Sequence, residues 1–121
     1  MTPLSILIAE DEAVIAMLLD EVLTGLGHSV CANVSTADEA VDAARRHHPD
    51  LILIDAGLRD SSGVDAMAII LAAGPVSHIY MSGDKAAVLR QQPGALVIEK
   101  PFDEDALVAA MRTTLAWPFA L

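Results

Sequence analysis

The sequence predicts an α/β fold: a doubly wound parallel sheet of five strands covered by five helices. Three observations carry this. Short apolar runs alternate with helical stretches five times along the 121 residues. Those runs are continuously apolar rather than alternating, the pattern of strands buried on both faces. Aromatic residues make up only 3% of the chain, so the core falls to Ala, Val, Leu, Ile and Met, which suits helices packed on a parallel sheet.

Each element has its own local signal. Leu4 to Ala9 is too short for a helix and reads as a buried strand. After Glu10 to Glu12 comes a helical pattern with Ile15, Leu18, Leu19, Val22 and Leu26 on one face. The acids at its start favour the positive end of the helix dipole, and Gly25 and Gly27 end it. Val30 to Val34 is a second strand. Ser35 or Thr36 caps a second helix, with Asp38 and Glu39 in its first turn and Ala40, Val41 and Ala44 facing inward. Arg45 to His48 suit its negative end, and Pro49 stops it.

Leu51 to Ile54 forms the third strand and runs into Asp55 and the loop "DAGLRDSSG". A helix follows from Val64 to Ala73, closed by Gly74-Pro75. Val76 to Met81 is the fourth strand, Ala86 to Arg90 a short helix, and Ala95 to Ile98 the fifth strand. The last helix spans Asp103 to Leu115, with Leu107, Val108, Met111 and Leu115 inward. No repeat, low-complexity segment or linker interrupts the chain, so residues 1–121 read as one domain.

The totals exclude some functions. The net charge of −10 repels phosphate backbones and anionic membrane surfaces, which argues against nucleic-acid and membrane partners. The single cysteine, Cys31, cannot form an internal disulfide and sits in an apolar run. The N-terminus lacks the pattern of a signal peptide, and no run has the length to span a bilayer, so the expected compartment is the cytoplasm.

In a doubly wound sheet the ligand site lies beyond the carboxyl ends of the strands. Here those ends carry Glu10 and Asp11, Asp55, Ser82, and Lys100 with Pro101. Three close carboxylates raise one another's pKa unless a cation joins them. Hard oxygen donors of this kind suit Mg2+. An ammonium and a hydroxyl beside them can hold the oxygens of a phosphoryl group, and a carboxylate so neutralised can become an aspartyl phosphate.

The motifs "AEDE", "LIDAGLRDSSG", "YMSGD" and "EKPF", in this order on these elements, resemble the receiver domain of bacterial two-component response regulators. The resemblance covers nearly the whole chain. It implies a flavodoxin-like strand order of 2-1-3-4-5. It also implies that Asp55 is the phosphoacceptor, that Asp11 binds Mg2+ directly, and that Glu10 acts as the second acid. The carbonyl of Gly57 would be a further metal ligand, Ser82 and Lys100 would contact the phosphoryl group, and the Lys100-Pro101 peptide would be cis. Gly63 stands where the family has its turn glycine.

Two positions depart from the family's pattern. Arg59 stands where a proline is frequent, and Val97 where an aromatic switch residue is usual. The run "YMSG" resembles the Phe-Ala-Thr-Gly signature of an alphaproteobacterial subfamily that also lacks the standard switch. Ser82 and the loop from Gly83 to Lys85 are then the expected carriers of the response. The four histidines read as structural: His28 after a turn glycine, His47 and His48 at a helix end, His78 within a strand. Trp117 and Phe119 lie in an apolar tail, residues 117–121, that can pack back or dock a partner.

The expectation is therefore a stand-alone receiver without an output domain, not an enzyme beyond phosphoryl transfer to and from its own aspartate. It would take the phosphoryl group from a histidine kinase or phosphotransfer protein with Mg2+. It would then signal by protein contact, homodimer formation included, or act as a phosphate sink. The rival is a docking or dimerisation module with vestigial phosphorylation, which Val97, Arg59 and the apolar tail favour.

Overall fold

The computed structural model describes residues 3–119, with side chains through residue 115. In chain order the elements are β1 (Ser5–Ala9), α1 (Ala13–Gly25), β2 (Ser29–Val34), α2 (Ala37–His47), β3 (Leu51–Asp55), α3 (Gly63–Ala72), β4 (Ser77–Ser82), α4 (Lys85–Gln91), β5 (Val97–Glu99) and α5 (Glu104–Phe119). The five strands form one parallel sheet in the order β2-β1-β3-β4-β5. The chain reverses its direction of travel across the sheet between β1 and β3, so their carboxyl ends flank the switch point.

Both faces of the sheet are covered. Leu7, Ala9, Ile52, Ile54, Tyr80 and Val97 meet residues of α2, α3 and α4 on one face. Ile6, Ile8, Leu51, Leu53, Ile79, Met81 and Ile98 meet α1 and α5 on the other. Every residue of β3 is buried, which explains why that strand reads as an unbroken apolar run up to its aspartate.

Local chemistry sets the element ends. Thr36 is the cap of α2: its side-chain oxygen accepts from the Glu39 amide, while Glu39 Oε1 accepts from the Ser35 amide. Ser62 Oγ accepts from the Val64 and Asp65 amides and caps α3. Asp84 and Asp103 accept from the Ala87 and Ala106 amides at the starts of α4 and α5.

Several expectations need correction. On α1, Leu19 is buried and Ile15 and Val22 pack against the core as expected, but Ala16 and Leu23 are buried too, while Leu18 and Leu26 stay 53% and 37% exposed. From Ala13 to Leu19 the helix is apolar at every position, so its periodicity has no contrast from which to fix the face. The acids stand at its start as expected: Glu12 is the cap residue, without a side-chain cap bond, and Glu10 and Asp11 precede it.

α2 buries Ala37, Ala40, Ala43 and Ala44, with Val41 only partly buried against them. On α5, Leu107 and Met111 are buried and Leu115 packs beside them, but Ala110 rather than Val108 joins that cluster. The strands β4 and β5 each begin later than expected and end one residue further on. α5 continues past Leu115, and the expectations for Trp117, Phe119 and the tail fall outside the described side chains. Among the described residues no helix is long and apolar enough to cross a membrane.

Candidate phosphoacceptor and metal site

β1, β3 and β5 deliver the polar groups because each strand stops at the same rim. The amide of Glu10 bonds the Val34 carbonyl at 2.9 Å, which carries the β1-β2 pairing one residue past Ala9 and buries the Glu10 side chain. Asp55 is the last residue of β3 and pairs in register with Met81 of β4. The amide of Lys100 bonds the Ser82 carbonyl at 2.8 Å, and the Lys100-Pro101 peptide is cis.

The side chains converge. Lys100 Nζ lies 2.6 Å from Glu10 Oε1 and 2.5 Å from Asp55 Oδ2. Ligand oxygens of Glu10, Asp11 and Asp55 lie within 4.8 Å of one another. The other oxygen of each buried acid is also engaged: the Glu12 amide donates to Glu10 Oε2 at 3.1 Å, and the Gly57 amide donates to Asp55 Oδ1 at 2.9 Å.

Burial drives the Glu10 carboxyl up to a pKa of about 7, against the pull of the Lys100 ammonium, with the neighbouring Asp55 adding to the rise. Lys100 moves the other way from what its own burial would produce. Desolvation favours its neutral form, but bonds to Asp55 and Glu10 outweigh that and raise its pKa.

Three carboxylates against one ammonium leave a formal surplus of two negative charges in a largely buried pocket. A divalent cation matches that surplus, and an all-oxygen donor set suits Mg2+. Where no cation is bound, the raised Glu10 pKa means that a proton takes up part of the charge.

Ser82 stands at the same rim, one residue beyond the partner of Asp55, but its hydroxyl is not bonded to the acid pocket. Its Oγ accepts from the Asp84 amide at 2.9 Å, which leaves the hydroxyl hydrogen free to donate. Gly63 is indispensable locally. Its amide bonds the Ala56 carbonyl at 2.7 Å, and a Cβ there would collide with the backbone carbonyl of Asp55.

Sequence reasoning missed Glu12, whose Oε1 lies 3.7 Å from Lys100 Nζ. The "EDE" run was visible, but its third acid was assigned only to the helix start. It also missed Asp60, whose carboxylate bonds α2 across the molecule. The histidines stand away from the pocket: the Leu4 amide donates to Nδ1 of the buried His28, and the His78 ring lies edge-on to Tyr80 at 5.4 Å.

Comparison with known proteins agrees with this geometry. A family model described as "Response regulator receiver domain" matches residues 6–112. PhyR of Methylorubrum extorquens, a phyllosphere-induced regulator, is 42% identical over 102 residues, which cover 80% of this chain and 38% of PhyR. The transcriptional regulatory protein PdtaR of Mycobacterium tuberculosis is 31% identical over 118 residues, 94% of this chain and 58% of PdtaR. The chain thus spans little more than half the length of one curated relative and less of the other. The solution structure of the receiver domain of Erythrobacter litoralis PhyR superposes with a TM-score of 0.87 at 30% identity, covering 96% of this chain and 92% of that one.

Proposed function

The chain belongs to the response regulator receiver domain family, and from that premise we propose that it accepts a phosphoryl group on Asp55 from a phosphohistidine donor with Mg2+ as cofactor. The donor would be a sensor histidine kinase or a phosphotransfer protein. The observation that carries this reading is the direct contact of Lys100 with both Asp55 and Glu10, groups from three separate strand ends.

Each residue has a role consistent with its place. Glu10, Asp11, Asp55 and the Gly57 carbonyl would hold Mg2+, whose charge would offset that of the phosphoryl oxygens. A carboxylate oxygen of Asp55 attacks phosphorus; a P–O bond forms, the P–N bond to the donor imidazole breaks, and the imidazole leaves with the electron pair. Lys100, already at hydrogen-bond distance from Asp55, can contact a phosphoryl group joined to it. The Ser82 hydroxyl can donate to a phosphoryl oxygen while still accepting from Asp84.

Intact-mass measurement after incubation with acetyl phosphate and Mg2+ tests the proposal. Wild type should gain the mass of one phosphoryl group, and Asp55→Asn should not. An unmodified wild type, or an adduct that persists in the variant, would overturn the assignment.

A further inference from the structure

Asp60 sits at the tip of the loop between β3 and α3. Its Oδ1 accepts from the Ala37 amide at 2.7 Å, and its Oδ2 from the Asp38 amide at 3.4 Å. These are first-turn amides of α2, which have no partner inside their own helix. Thr36 satisfies only the Glu39 amide, so α2 takes the rest of this cap from a loop more than twenty residues further along the chain. The amides of Ala37 and, secondarily, Asp38 hold the Asp60 carboxyl below the usual range, so it is a carboxylate whenever the fold is intact near neutral pH.

Backbone bonds also close the loop on itself. The Leu58 amide donates to the Ser61 carbonyl at 2.9 Å, and Gly57 forms a bridge with Ser62. Its base is fixed by the bonds from Gly57 to Asp55 and from Gly63 to Ala56. Leu58 is buried in the core cluster that also holds Ala37 and Ala40, and the tip hydrogen-bonds to the rest of the protein through the Asp60 carboxylate. Gly57 belongs to the base, three residues before Asp60.

We infer that Asp60 is a positioning residue: its clamp on the N-terminus of α2 holds the β3-α3 loop so that the Gly57 carbonyl is presented to the cation of the acid pocket. This rests on the proposed Mg2+ site. It also makes α2 a mechanical partner of that site, because a cation that orders the loop orders the Ala37 amide bond as well.

The test is an NMR titration of the folded protein with MgCl2, which reads amide shifts and the exchange rate of the Ala37 amide. Wild type should bind, and its Ala37 amide should exchange more slowly once Mg2+ is present. Asp60→Ala should bind about tenfold more weakly, the usual scale for losing an outer support of a metal ligand, and lose the Ala37 response. Asp60→Asn keeps one acceptor oxygen and should recover most of the affinity. Thr36→Ala removes the helix's own cap without touching the loop; it should lower stability but leave the affinity unchanged. Equal affinity in wild type and Asp60→Ala would overturn the clamp alone. A wild type whose amides ignore Mg2+ would overturn the metal site and the clamp together.

Discussion

At Gly63 the backbone of α3 passes so close to β3 that a Cβ would strike the Asp55 carbonyl and crowd Ile54. Neither strand nor helix can yield cheaply, so Gly63→Ala should cost about 3 kcal/mol, the upper range for overpacking, and displace Asp55, the proposed acceptor, as well. A shifted urea midpoint measures the first effect, and loss of the phosphoryl adduct the second. Unchanged stability would show that the two elements can separate. Glu10 yields a prediction in pH. Its folded pKa of about 7 lies above the ordinary value of 4.5, so its protonated form stabilises the fold below the lower figure, and that contribution is lost as pH rises through the upper one. Without divalent cations the loss should be on the order of 3 kcal/mol. Subtracting the pH-stability profile of Glu10→Gln from that of wild type isolates the effect, and parallel profiles would contradict it. The acid was visible in "AEDE", but the depth of its burial follows from the pairing of Glu10 with β2, which no local pattern states.

At the scale of elements, α1 marks the limit of pattern reading. Its first seven residues are all apolar, so the sequence announces a helix without announcing its inner face. The face is set by what the sheet and α5 offer. Leu23, fully buried, should cost about 3 kcal/mol when cut to Ala, whereas Leu18→Ala should change stability by less than about 1 kcal/mol. Chemical denaturation of the two variants checks the order, and equal losses would return Leu18 to the core. The segment after β4 is held by a chain of short-range bonds, Ser82 to the Asp84 amide and Asp84 to the Ala87 amide. If a phosphoryl group recruits the Ser82 hydroxyl, amide exchange from Tyr80 to Arg90 should change on adding a phosphoryl mimic with Mg2+. Unchanged protection across that segment would place the response elsewhere. Val97, buried beside Tyr80, leaves the usual aromatic switch without a residue at its own position.

Across the whole molecule, the charge of −10 and the acid pocket act in the same direction. On the proposed reading, Mg2+ would bind the folded pocket and not the scattered acids of the unfolded chain. It should therefore raise the melting temperature, by about 2.7 kcal/mol of stability when its concentration is a hundred times Kd. Chelation should reverse the gain, and added monovalent salt should weaken it by screening. A melting temperature indifferent to Mg2+ in wild type would contradict the pocket, and a gain that survives in Asp11→Asn/Asp55→Asn would place the ion elsewhere. Order along the chain determined most of this protein: alternating apolar runs and helical patterns specify the parallel sheet, and each strand's last polar residue specifies its rim, because both depend on neighbours in sequence. The tertiary structure decided the rest. The inner face of α1, the salt-bridge partner of Glu12 and the reach of Asp60 to α2 all depend on distances between segments far apart in the chain, and those distances exist only once the sheet has closed its core.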